Sequence, residues 1–361
     1  MTAAHEEPTA TVGPARPFES RVVRQEWATR AVAPMVDARG ATERPDPSPV
    51  GPDAYEDSPK AFFVYRMRDG AGDHTSIVAD VRLDAFATGG VRGHESVDPD
   101  RVDALVRYYA DHPARAEPVA LLHDHPAELA GHVAWVCGGD PMLRFSGDDG
   151  VEHTVWRVPE ETEAEIATAL GRGVHYIADG HHRVSARLRA WDLAGRPADA
   201  GVLCVVFSMD GLTLSAFHRR VSGPVDAPGF LDAAAAHFDV RAVSAGEATG
   251  VGLYVAGCWY DLHLRGGRPD AAAGLDVSLI QERLLGPALD VSGQGHPRFE
   301  AIPDHLPVEL ALARCDEDDG ALFVLTPPTM AALTRIADLG EVMPPKTTYF
   351  APKPYAGIFL T

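Results

Sequence analysis

His175–Ala190 reads HYIADGHHRVSARLRA, and the change of pattern halfway along it decides the fold around it. The first five residues mix apolar and polar positions as a strand does. From His181 the apolar positions fall at helical spacing, with Val184, Leu188 and Trp191 on one face and Ala186 and Ala190 beside it. A strand that feeds directly into a helix leaves a sharp turn at Asp179, Gly180, His181, His182 and Arg183. Gly180 lets the backbone approach a ligand closely, and the start of the helix offers N–H groups with no partner inside it. Those donors and the positive helix end suit a phosphate, to which Arg183 adds a two-pronged donor. Asp179 is a candidate to hold a metal ion or orient a histidine, and histidines exchange protons near neutral pH. Taken singly, each residue has a plainer reading, such as Asp179 capping the helix or Arg183 pairing with an acid. Five of them in one turn point to a functional element. Zinc is not expected: adjacent His181 and His182 do not comfortably face one metal, and neither HExxH nor a Cys ligand set is present.

Outward from this turn, AFFVYRMR (61–68) and SIVADVRLDAF (76–86) read as strands joined by a turn, and DPDRVDALVRYYADH (98–112) as an amphipathic helix. EPVALLHD (117–124) is a short buried strand, followed by a helix in AELAGHVAWV, a hairpin about Asp148–Asp149–Gly150 and a helix in EETEAEIATALGRG. The helix from His181 closes at Gly195. Residues 201–223 read as two strands turning at Met209–Asp210–Gly211. Beyond them come a helix at 229–239, strands near 252–265, a helix at 276–289, a strand at 321–325 and a helix at 328–339. This order implies an α+β fold with mixed sheets. Three regions are expected: a poorly packed arm at 1–60, a catalytic region at 61–223, and a C-terminal α/β region at 224–361 with a Lys-rich closing strap. Within the arm, Phe18–Val36 carries Val22, Val23, Trp27, Val32 and Met35, enough to dock part of it.

The chain has 361 residues, 45% hydrophobic and 23% charged, with a net charge of −20 from 52 acidic and 32 basic residues. Such a field opposes broad contact with a phosphate backbone, so no nucleic-acid partner is expected, although a local basic pocket can still take a nucleotide. No stretch approaches the roughly 20 apolar residues of a membrane span, and no apolar core follows a basic start as in a secretory signal. Cys137, Cys204, Cys258 and Cys315 are scattered without a CxxC, which fits reduced thiols and a cytoplasmic location.

ADGHHR (178–183) occurs together with FVYRM (63–67), GHESVDPDR (93–101), WRVP (156–159), MDGLTLSAFHRR (209–220) and MPPKTTYFAPKPYAGIFL (343–360). In this combination and order the chain resembles a large prokaryotic family catalogued as domain of unknown function 1015. Val184 stands where members usually carry Tyr, and VAPMVDA (32–38) matches their APPYDV segment only loosely. The pattern also looks like the wider ParB/sulfiredoxin-like fold, in which such a turn grips nucleotide phosphates. Within that group, free L-serine kinases carry a His-Glu upstream of a DGHHR turn, and His94–Glu95 occupies the corresponding place. The resemblance implies Glu95 as the base for the serine hydroxyl, the 179–183 turn as the phosphoryl-binding element, and ATP or ADP with Mg²⁺.

Other residues join the candidate set on their own chemistry. Glu95 suits activation of an alcohol, and also suits a charge favouring the helix that starts near Asp98. Arg101 is within a helical turn of that start, placed for a phosphate or an ion pair. His218–Arg219–Arg220 ends a strand, where a basic cluster meets an anionic substrate or discourages edge pairing. Lys346, Thr347, Thr348 and Lys353 lie on a proline-stiffened segment suited to close over phosphate or carboxylate, while Tyr349, Phe350 and Tyr355 pack. No Walker loop, kinase Gly-rich loop, GxGxxG or GxSxG is present, and no cysteine sits in the turn for thiol chemistry. The expected activity is a small-molecule kinase acting on a hydroxy amino acid, with a homodimer left open. A ParB-like nucleotide-binding regulator and a nucleotide hydrolase stand as alternatives.

Overall fold

Gly201–Ser208, GVLCVVFS, is apolar at nearly every position and buried along almost its whole length. A strand with no polar face needs neighbours on both sides and cover on both faces. It lies inside a nine-stranded mixed sheet in this computed structural model, which describes residues 13–35, 51–112 and 116–361. The expectations for 1–12 and 36–50, including the end of VAPMVDA and most of the linker-like stretch, lie outside the described residues. The chain divides into two units. The first holds the described residues up to Arg92, Val97–Leu212 and Pro352–Thr361; the second holds Gly93–Ser96 and Thr213–Ala351.

The nine-stranded sheet belongs to the first unit. Its order is Val91–Arg92, His175–Asp179, Val119–His123, Gly201–Ser208, Gly72–Arg82, Phe63–Asp69, Glu152–Arg157 and Leu143–Ser146, with Ala15–Arg16 added beside Gly72–Arg82. His175–Asp179 runs antiparallel to Val119–His123 and parallel to Val91–Arg92. The helices Ala127–Cys137, Glu160–Leu170 and His181–Leu193 bury Leu129, Val136, Ile166, Leu170, Val184 and Trp191 in one core with Ile77, Leu121 and Val206 of the sheet. Pro99–Asp111 joins His181–Leu193 through Val102, Leu105 and Ala186. The signature helix is therefore held by the sheet beneath it and by a helix beside it.

The loose packing expected of the arm is corrected at Tyr55–Ala61, and Phe18–Val36, expected to dock in part, supplies paired strands. Phe18–Val23 pairs with Tyr55–Ala61 and Phe359–Leu360, and Ala33–Pro34 pairs with Tyr355–Ala356. Phe18, Val22 and Val23 are buried, and Phe18 packs on Phe63 and Phe359. The apolar positions of this short strand, already evident within Phe18–Val36, supply its docking face.

The second unit is built on an antiparallel seven-stranded sheet, in the order Phe238–Val243, Cys258–Leu264, Val251–Val255, Ala321–Val324, Thr213–Val221 and Phe299–Pro303, with Thr348–Ala351 pairing on Thr213–Val221. Its core takes Phe230 and Ala234 from helix Ala227–Ala235, and Ile280 and Leu284 from a helix that starts at Asp276 and widens into a π-turn at Gln281–Leu285.

Three further expectations change. Gly201–Ser208 and Thr213–Val221 do not pair as a hairpin; each belongs to its own sheet, because an apolar strand pattern does not specify which strand it joins. The strand read through 86 ends at Arg82, where Leu83–Ala87 turns helical. The units also part between Leu212 and Thr213 rather than after 223, and Pro352–Thr361 returns to the first unit. Among the described residues no helix is long and apolar enough to cross a membrane.

Candidate active site

The strand His175–Asp179 and the helix His181–Leu193 meet as expected, with Gly180 alone between them. Gly180 has φ 107°, a value that L side chains rarely adopt, and a Cβ there would sit 3.0 Å from the Arg183 guanidinium. Glycine is thus needed twice over, for the backbone turn and for the close passage of Arg183. A register shift between Ile177 and Asp179 against Val119–His123 re-aims the end of the strand. No side chain caps the helix start, whose positive end faces the turn.

Asp179 is the hub of the turn. Its Oδ2 accepts from Arg183 Nη2 at 2.5 Å, and its Oδ1 accepts from Lys353 Nζ at 2.7 Å. Burial alone would raise this carboxyl, but the charges of Lys353 and Arg183 overcome it and hold the group well below the ordinary carboxylate range. Arg183 also reaches the Pro118 carbonyl and Met35 Sδ, which fixes its guanidinium against the strand below. The result is two cations and one carboxylate gathered at an uncapped helix start.

The two histidines differ. His181 is buried, and burial pushes it down to about 4 despite the opposing charge of Asp179, so it is neutral at physiological pH. His182 Nε2 accepts the Asp98 N–H at 3.0 Å. Asp98 in turn caps Pro99–Asp111 by accepting from Asp100 N. His182 therefore ties the signature helix to its neighbour, and its Nε2 acts as an acceptor there. Arg101 lies part-exposed on the capped helix.

The second unit gathers the remaining candidates. Glu95 forms a bridge with Met343, flanked by Met343 N donating to His94 O at 2.7 Å and Ser96 N donating to Met343 O at 3.2 Å. Fully buried His94 places Nε2 3.0 Å from Thr348 Oγ1, and Thr347 Oγ1 donates to Pro344 O at 2.7 Å. Both threonines are buried, so this part of the strap is packed structure rather than an open flap. Lys346 sits at φ 61° with Nζ 5.3 Å from the centre of the Phe217 ring. Arg219 is 2% exposed and donates to the Phe217 and Pro345 carbonyls, both at 3.3 Å. Burial lowers it to about 10, with the charge of Glu95 opposing. His218 accepts from Leu325 N through Nδ1, which leaves Nε2 to face Asp304 at 3.2 Å. The His218–Arg219–Arg220 run is thus inward-facing on a strand paired on both sides, not an edge set.

The structure brings Asp179, Gly180, His181, His182, Arg183 and Lys353 together, and separately brings Glu95, Arg219, Lys346, Thr347 and Thr348 into one region of the second unit. No local pattern in the sequence pairs Lys353 with Asp179. The chain has only three lysines, Lys60, Lys346 and Lys353, and that scarcity was the signal that could have singled it out.

Fold and site together define an α+β protein in which a strand–turn–helix gathers Asp179, Arg183 and Lys353. A family model described as a protein of unknown function, DUF1015, matches residues 55–284, and the chain belongs to that family. No curated protein matches. Among solved structures the chain is similar to a free serine kinase mutant in complex with ADP, at 14% identity and TM-score 0.42, covering 76% of this chain and 87% of that one. It is also similar to SbnI with a C-terminal truncation from Staphylococcus aureus, at 12% identity and TM-score 0.44, over 77% and 84%. A conserved hypothetical protein from Pyrococcus furiosus follows at 14% identity and TM-score 0.39, over 77% and 91%.

Proposed function

We propose that the protein is a small-molecule kinase that moves a phosphoryl group from ATP or ADP to the hydroxyl of a free amino acid, with L-serine as the first acceptor to test. The observation that carries this reading is the Arg183–Asp179–Lys353 arrangement at an uncapped helix start. Phosphoryl transfer is mainly positioning and charge neutralisation, and two pre-oriented cations at a positive helix end supply both. Asp179 keeps the cations in place until phosphate oxygens compete for them. Glu95 is assigned the acceptor side from the order of motifs. The serine hydroxyl oxygen attacks the terminal phosphorus, its proton passes to the Glu95 carboxylate, and the bridging P–O bond breaks to release ADP or AMP.

Magnesium does not fit Asp179 as arranged, since both carboxylate oxygens already face cations, and the described residues contain no group of three His, Cys, Asp or Glu able to hold a metal. No step is therefore assigned to a metal on Asp179.

The test is incubation of the full chain with ATP or ADP and a mixed amino-acid pool, with and without Mg²⁺, and mass detection of a phosphorylated amino acid. Turnover without an acceptor would favour a hydrolase, and nucleotide binding without turnover a ParB-like regulator. Absence of nucleotide binding would remove all three readings.

A further inference from the structure

Lys353 stands between Pro352 and Pro354, whose rings fix φ on either side of it, so whatever anchors Tyr355 also sets the lysine. The backbone hold on this stretch is slight: Tyr355–Ala356 pairs over two residues with Ala33–Pro34, and Met35 N reaches Pro354 O at 3.4 Å. A stronger anchor comes from inside the sheet. Tyr65, 1% exposed on Phe63–Asp69, accepts the Tyr355 N–H at its hydroxyl oxygen at 3.3 Å. The same hydroxyl is 2.7 Å from His153 Nδ1, and the tautomer in which Nδ1 accepts gives its proton a partner. The His153 ring is stacked on Phe145 at 4.6 Å and lies 4.1 Å from the Tyr355 ring. Burial pushes His153 down to about 4, so the ring is neutral and able to accept at physiological pH. The Tyr355 hydroxyl fills the space above Gly147, where a Cβ would lie 2.1 Å from it.

We infer that Tyr65, acting with His153, is the positioning residue for Lys353: it locks the Pro352–Tyr355 segment so that the lysine ammonium is delivered to Asp179. This deepens the phosphate-holding reading, because Lys353 is one of the two cations invoked there. The placement itself is readable without any nucleotide.

The test uses the full chain and limiting acetic anhydride, with acetylation of each lysine followed by mass spectrometry. In the wild type, Lys353 reacts more slowly than Lys60 and Lys346. Tyr65→Phe raises the Lys353 rate about tenfold, the scale of one lost buried hydrogen bond, and leaves the other two lysines unchanged. Unchanged Lys353 labelling overturns the inference, and so does a rise at all three lysines, which marks a merely structural role. His153→Phe keeps the ring stack while removing the acceptor, and carries the same test if Tyr65→Phe does not fold. A second arm measures nucleotide KM and kcat. Tyr65→Phe raises KM about tenfold with kcat within about twofold, and adds nothing further in a Lys353→Met background. Additive losses contradict action through Lys353. A protein that binds no nucleotide refutes the kinase reading, and the labelling arm still decides the placement of Lys353.

Discussion

Replacing His175 with phenylalanine is expected to make the protein markedly less sensitive to mild acid. His175 faces His123 across the antiparallel pair Val119–His123/His175–Asp179, with ring centroids 4.3 Å apart, and His125 lies 5.4 Å from His123. His175 is fully buried, and neither ring nitrogen has a hydrogen-bond partner. Burial, with the neighbouring His123 and His125, pushes it down to about 3, and burial with His123 takes His125 to about 4 against the pull of Asp210. Burial also lowers His123, against the charge of Asp124. A base with a depressed folded pKa is protonated first in the unfolded chain. Its contribution to stability is complete above the unfolded value near 6.5 and falls away as pH drops toward the folded value. The slope is about 1.4 kcal/mol per pH unit for each such group, so His175 alone costs about 2 kcal/mol between pH 7 and pH 5. Any folded value well below 5 returns nearly the same figure. Phenylalanine keeps an aromatic ring against His123 and removes the titration. Urea unfolding at pH 7 and pH 5 should show the wild type losing about 2 kcal/mol more than His175→Phe. Equal losses would refute the reasoning.

Further expectations concern the turn and the acceptor side. Asp179→Asn leaves Arg183 and Lys353 facing each other without their carboxylate, which should destabilise the protein by about 3 kcal/mol in thermal or urea unfolding; saturating ADP should restore more stability to this variant than to the wild type. Gly180→Ala combines an unfavourable φ with a contact on Arg183 and should weaken ADP binding at least about tenfold, measured by calorimetry. Glu95→Gln should abolish phosphoryl transfer while ADP affinity stays within about twofold; retained transfer would remove Glu95 as the base.

The local chemistry was more legible than the long-range pairing. The strand–turn–helix at 175–193 could be read directly, because a change of period, one glycine and a run of polar residues mark such a junction without reference to the rest of the chain. The helix at Pro99–Asp111 was legible for the same reason, with Asp98 as its cap. Pairings at large sequence separation were not. Nothing local in GVLCVVFS specifies Val119–His123 as its parallel neighbour, and nothing in APKPY specifies that Lys353 meets Asp179, 174 residues away. His218 and Arg219 stand out in the sequence by their charge, yet both are buried against protein partners on a strand paired on both sides. Buried His123, His153 and His175 and half-buried His125 are unmarked in the sequence because histidine carries no periodic signal; their clustering emerges only when the strands are aligned.

The most direct test of the central claim is calorimetric titration of ADP into the wild type and into Lys353→Met and Arg183→Met variants. If the 179–183 turn with Lys353 grips nucleotide phosphates, the wild type binds one ADP per chain and each variant loses at least about tenfold in affinity. ADP binding that is equally tight in all three proteins would contradict it.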